Sequence, residues 1–148
     1  MVRKRSLRAF AVVCLSFGTL SLAACGDDGG LKLHSVRGKV LLNDAPLEGA
    51  TVVLQPVDPA VEWRPSGQTE SDGTFELSTY PHGEGAPNGD YVVLISQYPP
   101  DAREKGNAKS LIPKRYADPD KSQFKAKVAN GPIRLEPFKL TKKAKDND

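Results

Sequence analysis

The feature that most constrains the fold is a repeated alternation of apolar and polar residues, in short segments that begin near His34 and are separated by turn residues. A period of two is typical of half-buried strands, and the region shows no convincing 3.6-residue helical period. Turn-favouring pairs such as Asp72-Gly73 and Asn130-Gly131 separate the segments. About six or seven short strands at this spacing predict an all-β fold, an antiparallel β-sandwich of about seven strands. The predicted apolar faces are Val36, Val40 and Leu42; Ala50, Val52 and Leu54; Tyr91, Val93 and Ile95; and Phe124, Ala126 and Val128.

Two stretches depart from this alternation. The segment 99–122 opens with Pro99-Pro100 and lacks a clear pattern, and a structureless loop of this length is uncommon in a compact domain. We therefore expect it to contain a short strand or to serve a function. Further along, the alternation of Ile133 and Leu135 changes phase after Glu136-Pro137. A β-bulge at that point, which adds one residue to one strand, would bring the two halves into phase.

The first 24 residues have the order of an export signal. Four basic residues come first, and an uncharged apolar run of 16 residues follows from Ala9 to Ala24. Such a run would extend about 24 Å as a helix, whereas a bilayer core of about 30 Å normally takes roughly 20 residues. A cleaved signal segment is therefore favoured over a permanent span. The alternatives are an ordinary secretory signal with a chance cysteine and a short uncleaved anchor.

The leader ends in Leu22-Ala23-Ala24-Cys25, which resembles the lipobox of bacterial lipoproteins. The resemblance implies diacylation of the Cys25 thiol and cleavage after Ala24, often with a third acyl chain on the freed amine. Two acyl chains are the usual minimum for stable anchoring. We therefore predict an exported protein anchored by lipid to a bacterial membrane, facing the periplasm or the exterior. Which membrane and which leaflet are left open.

The predicted organisation of the chain has four parts. A lipoprotein signal covers 1–24, a flexible glycine-rich tether covers 25–33, one β-sandwich domain covers 34–140, and a charged tail covers 141–148. The mature chain is long enough for one domain that buries about two-thirds of its unfolded surface. With Cys25 as its only cysteine, it can form no internal disulfide. We expect a monomer.

Removing the leader also changes the charge. The whole chain has 21 Lys and Arg against 18 Asp and Glu, but four basic residues lie in the leader, so the mature chain has 17 against 18. No general case for nucleic-acid binding remains. The charge is uneven, because 25–102 carries 4 basic and 12 acidic groups and 103–148 carries 13 and 6. This asymmetry could orient the domain near an anionic polymer or partner, although such runs are more often solvated surfaces.

Four segments of the domain combine a strand with a tight turn or a Gly-Ala step, and they are Val36 to Val40, Ala45 to Val52, Thr69 to Phe75 and Pro87 to Tyr91. Together they resemble the carboxypeptidase regulatory-like domain. Ile112 to Pro119 is similar to a stretch of small bacterial lipoproteins that carry this domain. The resemblance covers about residues 34–140, nearly the whole mature chain. It implies a transthyretin-like β-sandwich of about seven strands that serves as an accessory module, and a shared fold does not by itself supply an activity.

The residue types needed for catalysis are sparse. The chain has two histidines, and a Ser-His-Asp set could be drawn only from Ser78, His82 and Asp90, with no nucleophile-elbow motif to support it. We expect His82 to lie in an exposed glycine-rich loop and His34 to begin the first strand. Two distant histidines do not make a zinc site, and Asp118-Pro119-Asp120 lacks the glycine and distal glutamate of a calcium loop. We therefore predict no catalytic, cofactor-binding or metal-binding residues.

Binding remains as the predicted activity. Loop or strand-end aromatics, among them Trp63, Tyr80, Tyr98 and Tyr116, could stack on sugar rings. The basic side chains Lys109, Lys114 and Arg115 of the segment 99–122 could attract an anionic envelope polymer or an acidic partner. The competing interpretation is that the aromatics cover core edges. On that interpretation Leu111, Ile112 and Tyr116 fasten the segment over the sandwich, and its lysines point into water.

The leading hypothesis is a non-catalytic, lipid-anchored cell-envelope module that binds or scaffolds other envelope components, either protein or polysaccharide. The alternative is a carbohydrate-binding lipoprotein that uses the loop aromatics. A third hypothesis is an unrecognised hydrolase that would lose activity on His82→Ala.

Overall fold

A computed structural model describes residues 31–100 and 109–142; the leader, Cys25 and the charged tail after Lys142 lie outside this range. The described chain is all-β, as predicted, with one short 3-10 turn. The first strand begins at Leu33, one residue before the predicted domain boundary, and the last ends at Leu140. The elements are β1 (Leu33–His34), β2 (Val36–Leu42), β3 (Ala45–Pro46), β4 (Thr51–Pro56), β5 (Ser66–Gln68), β6 (Thr74–Glu76), β7 (Ser78–Thr79), β8 (Gly83–Glu84), β9 (Ala86–Pro87), β10 (Gly89–Ser96), the 3-10 turn (Lys114–Tyr116), β11 (Lys125–Val128), β12 (Ile133–Arg134) and β13 (Phe138–Leu140).

The larger sheet is antiparallel throughout, in the order β11-β10-β4-β5-β7-β8. Its centre is the ladder between β4 and β10, which runs from the pair Pro56 and Tyr91 to the pair Thr51 and Ser96. The alternation predicted for both strands is confirmed, because every second side chain is buried. Pro56 ends β4, as expected of a residue that cannot donate to a ladder.

The second sheet is built around β2 and is mixed, whereas the sequence predicted an antiparallel sandwich. β3 and β6 pair antiparallel to β2, whereas β12 and β13 pair parallel to it. The cause is the Asn130-Gly131 turn, which lies beside the start of β2, where the Gly131 N–H donates to the His34 ring. The chain therefore enters β12 at the same end as β2 and runs in the same direction.

The predicted bulge is confirmed by the register of these parallel strands. Ile133 lies opposite Val36, whereas Phe138 lies opposite Val40. Five steps on the later strand thus match four steps on β2, and the extra residue falls in the Leu135 to Pro137 stretch. This is the two-against-one count of a bulge. It turns Phe138 and Leu140 into the core, where both are buried.

Buried side chains of the two sheets form one core, in keeping with a β-sandwich. Val36, Gly38 and Val40 point to the same side of β2, and Phe75 of β6 lies directly opposite Gly38. A Cβ added to Gly38 would come within 2.5 Å of the Phe75 ring. The glycine therefore makes room for the aromatic ring.

The strand ladders place the loops at two ends of the sandwich. We call the end at which the described chain begins the N-terminal end; it contains the loop 57–65, the turn 80–82 and Asn88, which bonds to Asn130. The opposite end is the C-terminal end, where the Lys142 N–H donates to Asn43. The β4–β10 ladder alone separates the two by roughly 17 Å at about 3.4 Å per residue.

Candidate functional site

The residues of the hypothetical Ser-His-Asp set are engaged separately. The Ser78 hydroxyl lies 3.4 Å from the Ser66 carbonyl oxygen, the His82 ring packs edge-on against Trp63, and the Asp90 carboxylate faces the Lys127 ammonium at 4.0 Å. All three residues are exposed. The described structure therefore records no bond that would make His82 a general base for Ser78.

His34 was expected to begin the first strand; it is instead the second residue of β1, and it is also buried. Its Nδ1 accepts a hydrogen bond from the Gly131 N–H at 3.0 Å, while its buried Nε2 has no partner within the described residues. Gly85 packs against the His34 backbone with a φ of 103°, and a Cβ there would lie 2.5 Å from the His34 carbonyl oxygen. These contacts fix the point at which the chain enters the sandwich.

The turn into β10 is held by a buried tyrosine. Tyr91 donates its hydroxyl to the Pro87 carbonyl oxygen at 2.8 Å, and Gly89 lies against its ring. Because the phenol is buried, the pKa of Tyr91 is raised above its usual value. The Pro87 to Tyr91 segment, which carries part of the sequence resemblance, is therefore a structural corner.

At the C-terminal end, the described part of the segment 99–122 is fastened to the sandwich. Ile112 and Tyr116 are buried, with Tyr116 only 8% exposed. The Tyr116 ring stacks on Phe124 with centroids 5.7 Å apart, and Phe124 contacts Phe138 in turn at 5.1 Å. No strand forms between Lys109 and Gln123; the regular structure there is the 3-10 turn. Tyr116 is therefore a packing residue, as the competing interpretation of the sequence holds.

Arg115 completes this attachment. Its guanidinium donates to the Tyr116 hydroxyl at 2.9 Å and to the Thr141 carbonyl oxygen at 3.2 Å, and it lies 4.7 Å from the Tyr116 ring centroid. Burial alone would raise the pKa of Tyr116, but hydrogen bonds with Thr141 and Arg115, together with the guanidinium charge, lower it below its usual value. Arg115 thus ties the segment to the end of β13.

The other proposed binding residues are exposed but dispersed. Lys109 and Lys114 are exposed, and Tyr98 is 50% exposed at the C-terminal end. Trp63 is partly exposed at the N-terminal end. Because Trp63 follows β4 and Tyr98 follows β10, the antiparallel ladder holds the two aromatics at opposite ends of the sheet. They do not form one sugar-binding surface.

The N-terminal end instead brings together the rings of Trp63 and His82 in a small aromatic patch, with Tyr80 in the same turn as His82. The Trp63 and His82 ring centroids are 4.3 Å apart at an interplanar angle of 83°. Tyr80 and His82 belong to the same tight turn, closed by the bond from the His82 N–H to the Thr79 carbonyl, and Tyr80 is 92% exposed. The pairing of β5 with β7 brings these loops together. Sequence spacing did not reveal it, because 19 positions separate Trp63 from His82.

A second surface lies between the edge strands of the two sheets. Residues 123–127 and 134–138 line an open groove of about 600 Å³, which we call the edge groove. Lys125, Lys127 and Arg134 are exposed on its rim, and Phe124 and Phe138 contribute apolar floor. Glu136 is the acidic residue among the groove's lining residues. An unpaired strand edge with basic side chains is suited to an extended, acidic segment.

The described ranges contain neither a cluster of metal ligands nor a membrane-crossing helix. No group of three or more histidine, cysteine or acidic residues there is arranged to hold a metal ion. Asp118 accepts a hydrogen bond from the Asp120 N–H and pairs with Lys121, which lowers the pKa of Asp118 and marks it as a turn former. No helix among residues 31–100 and 109–142 is long and apolar enough to cross a membrane.

Comparison with protein-family models gives no match, and comparison with curated proteins gives none either.

Proposed function

We propose that this chain is a non-catalytic, lipid-anchored cell-envelope module that binds or scaffolds other envelope components. The observation that carries the proposal is the sequence Leu22-Ala23-Ala24-Cys25 at the end of a charged and then apolar leader. Acylation of Cys25 would hold the domain on a membrane, because two acyl chains suffice for stable attachment.

The fold class supports the family part of this proposal. We infer a transthyretin-like sandwich of the carboxypeptidase regulatory-like kind. Its characteristic segments fall on structural features: Val36 to Val40 on β2, Thr69 to Phe75 on the turn into β6, and Pro87 to Tyr91 on the tyrosine corner. Domains of this kind are generally accessory modules, which favours binding over catalysis.

The edge groove is the partner surface that we favour over the segment 99–122. The segment uses Arg115 and Tyr116 for its own attachment, whereas Lys125, Arg134 and Lys127 project at the rim of an open groove. We propose that its occupant is an extended acidic segment of an envelope protein. The complementarity of charge would make its capture sensitive to salt.

Fractionation of cells that produce the full chain tests the anchor. Wild-type protein should be found in the membrane fraction and leave it only with detergent. Cys25→Ser should remain as a precursor with its leader, because the thiol that accepts the lipid is absent. A membrane-bound Cys25→Ser protein of mature size would contradict the anchor.

Cross-linking in the native membrane tests the partner surface. Lys125→Glu with Lys127→Glu should abolish a salt-sensitive cross-linked product, whereas Lys109→Glu with Lys114→Glu should leave it intact. Loss with the second pair alone would return the site to the segment 99–122. A product unchanged by both pairs would contradict charge-based capture.

A further inference from the structure

The N-terminal end exposes large apolar side chains in two adjoining loops. Val57 is 60% exposed and Tyr80 is 92% exposed, and the partly exposed Trp63 lies between them in the chain, against His82. Val57 also lines a shallow pocket of about 340 Å³ with Asn88 and Gly89. A contiguous exposed apolar patch marks a site of association, whereas a single exposed apolar residue does not. The contact of Trp63 with His82 places the two loops side by side.

The short stretch of chain between Cys25 and Leu31 limits how far the N-terminal end can lie from a lipid on Cys25. The six steps from Cys25 to Leu31 reach at most about 20–22 Å, at roughly 3.3–3.6 Å each. Leu31 precedes β1, which pairs antiparallel with β9 so that Leu33 lies opposite Pro87. Residues 31 and 32 therefore run towards Asn88, into the same end as Val57. A lipid on Cys25 would hold this end close to the bilayer surface.

The chemistry of the exposed side chains fits the polar–apolar boundary of a bilayer. Tyrosine and tryptophan are enriched there because each has an apolar ring and a polar atom that stays in water. The formal charges nearby do not sum to a basic surface, because Asp58, Glu62 and Glu84 stand against Arg64 and Lys32. We therefore do not expect attraction to anionic lipid to drive a contact between this end and a bilayer. Burial of apolar surface would drive it instead.

We infer that the lipid-bilayer surface is the partner of the N-terminal end, and that Tyr80, Val57 and Trp63 insert into its interfacial layer. The inference rests on the lipid anchor proposed above. The tether keeps the loops at high local concentration beside the membrane, so that a weak contact is sufficient. In this orientation the C-terminal end points away from the membrane.

Trp63 reports on this contact directly, because it is the only tryptophan of the chain. The full acylated protein is reconstituted into phosphatidylcholine vesicles whose acyl chains carry bromine, a short-range quencher of indole fluorescence. We expect Trp63 fluorescence to be quenched relative to vesicles without bromine, equally at low and high salt. Tyr80→Ser with Val57→Ser should lose the quenching, whereas Tyr98→Ser with Leu111→Ser, the exposed apolar residues of the C-terminal end, should retain it.

Three results of this experiment would overturn the inference. Acylated protein that floats with the vesicles, but whose Trp63 is not quenched, overturns the inference and leaves the lipid anchor in place. Protein that carries no acyl mass and does not float overturns both. Trp63 fluorescence could also respond to soluble peptidoglycan fragments and not to bromine. That result would indicate that the side chains around Trp63 bind carbohydrate, and it also overturns the inference.

Discussion

Two tyrosines at opposite ends of the sandwich, Tyr116 and Tyr80, have opposite environments. At the C-terminal end, Tyr116 is buried, stacks on Phe124 and receives a hydrogen bond from Arg115. At the N-terminal end, Tyr80 stands in water at the tip of a turn. The same residue type thus stabilises the fold at one end and is available for contact at the other. Loop position alone therefore does not identify a binding aromatic; its partners do.

Truncation of the two tyrosines should give the largest difference in the free energy of unfolding. Tyr116→Ala removes a buried ring and should lower the free energy of unfolding by about 3 kcal/mol. Tyr80→Ala removes an exposed ring and should change it by no more than about 0.5 kcal/mol. Urea unfolding of residues 31–148 measures both. Equal losses for the two variants would show that the ends do not differ as described.

Neighbouring basic residues of the 3-10 turn provide a narrower comparison. Arg115→Ala removes hydrogen bonds to Tyr116 and Thr141 and should cost about 1–2 kcal/mol. Lys114→Ala, an exposed neighbour, should leave unfolding unchanged within error. An equal loss of stability in Lys114→Ala would show that Lys114 stabilises the fold through a contact other than those described.

The two histidines make a similar pair at the N-terminal end. His34→Ala leaves the Gly131 N–H without its acceptor and should cost about 1 kcal/mol, with faster hydrogen exchange at Gly131 and in β1. His82→Ala should leave unfolding unchanged but alter Trp63 emission, because its ring contacts Trp63. Unchanged exchange at Gly131 in His34→Ala would contradict the role assigned to the buried ring.

Alkaline titration should change the free energy of unfolding least, and it should still distinguish Tyr116 from Tyr91. Tyr116 has a lowered pKa in the folded state, so its contribution is present above the unfolded value of about 10 and is lost as pH falls through the folded value. Tyr91 has a raised pKa, so its contribution is present below about 10 and is lost as pH rises through the folded value. Ring-carbon NMR should show Tyr116 ionising before Tyr91. The reverse order would contradict both assignments.

Local pattern predicted much of the fold. The alternation around Val52 and Val93 places strands, and the phase change before Phe138 locates a bulge, because these signals depend only on residues close in the chain. The direction of pairing between β2 and β12 could not be predicted in the same way. It depends on where the Asn130-Gly131 turn lies relative to His34, a contact across 97 positions.

The candidate sites were harder to predict for the same reason. Residue type drew attention to Arg115 and Tyr116, but only the fold shows that each uses the other as a partner. The patch of Trp63 and His82 and the edge groove are products of strand pairing, and neither leaves a local motif in the sequence.

Lipid anchoring through Cys25 is tested by intact-mass analysis of the mature protein, extracted from the membranes of cells that produce it. We expect a chain that begins at Cys25 and carries two or three acyl chains on that residue, with no leader attached. A mature chain without acyl mass, or one cleaved elsewhere than after Ala24, would contradict it.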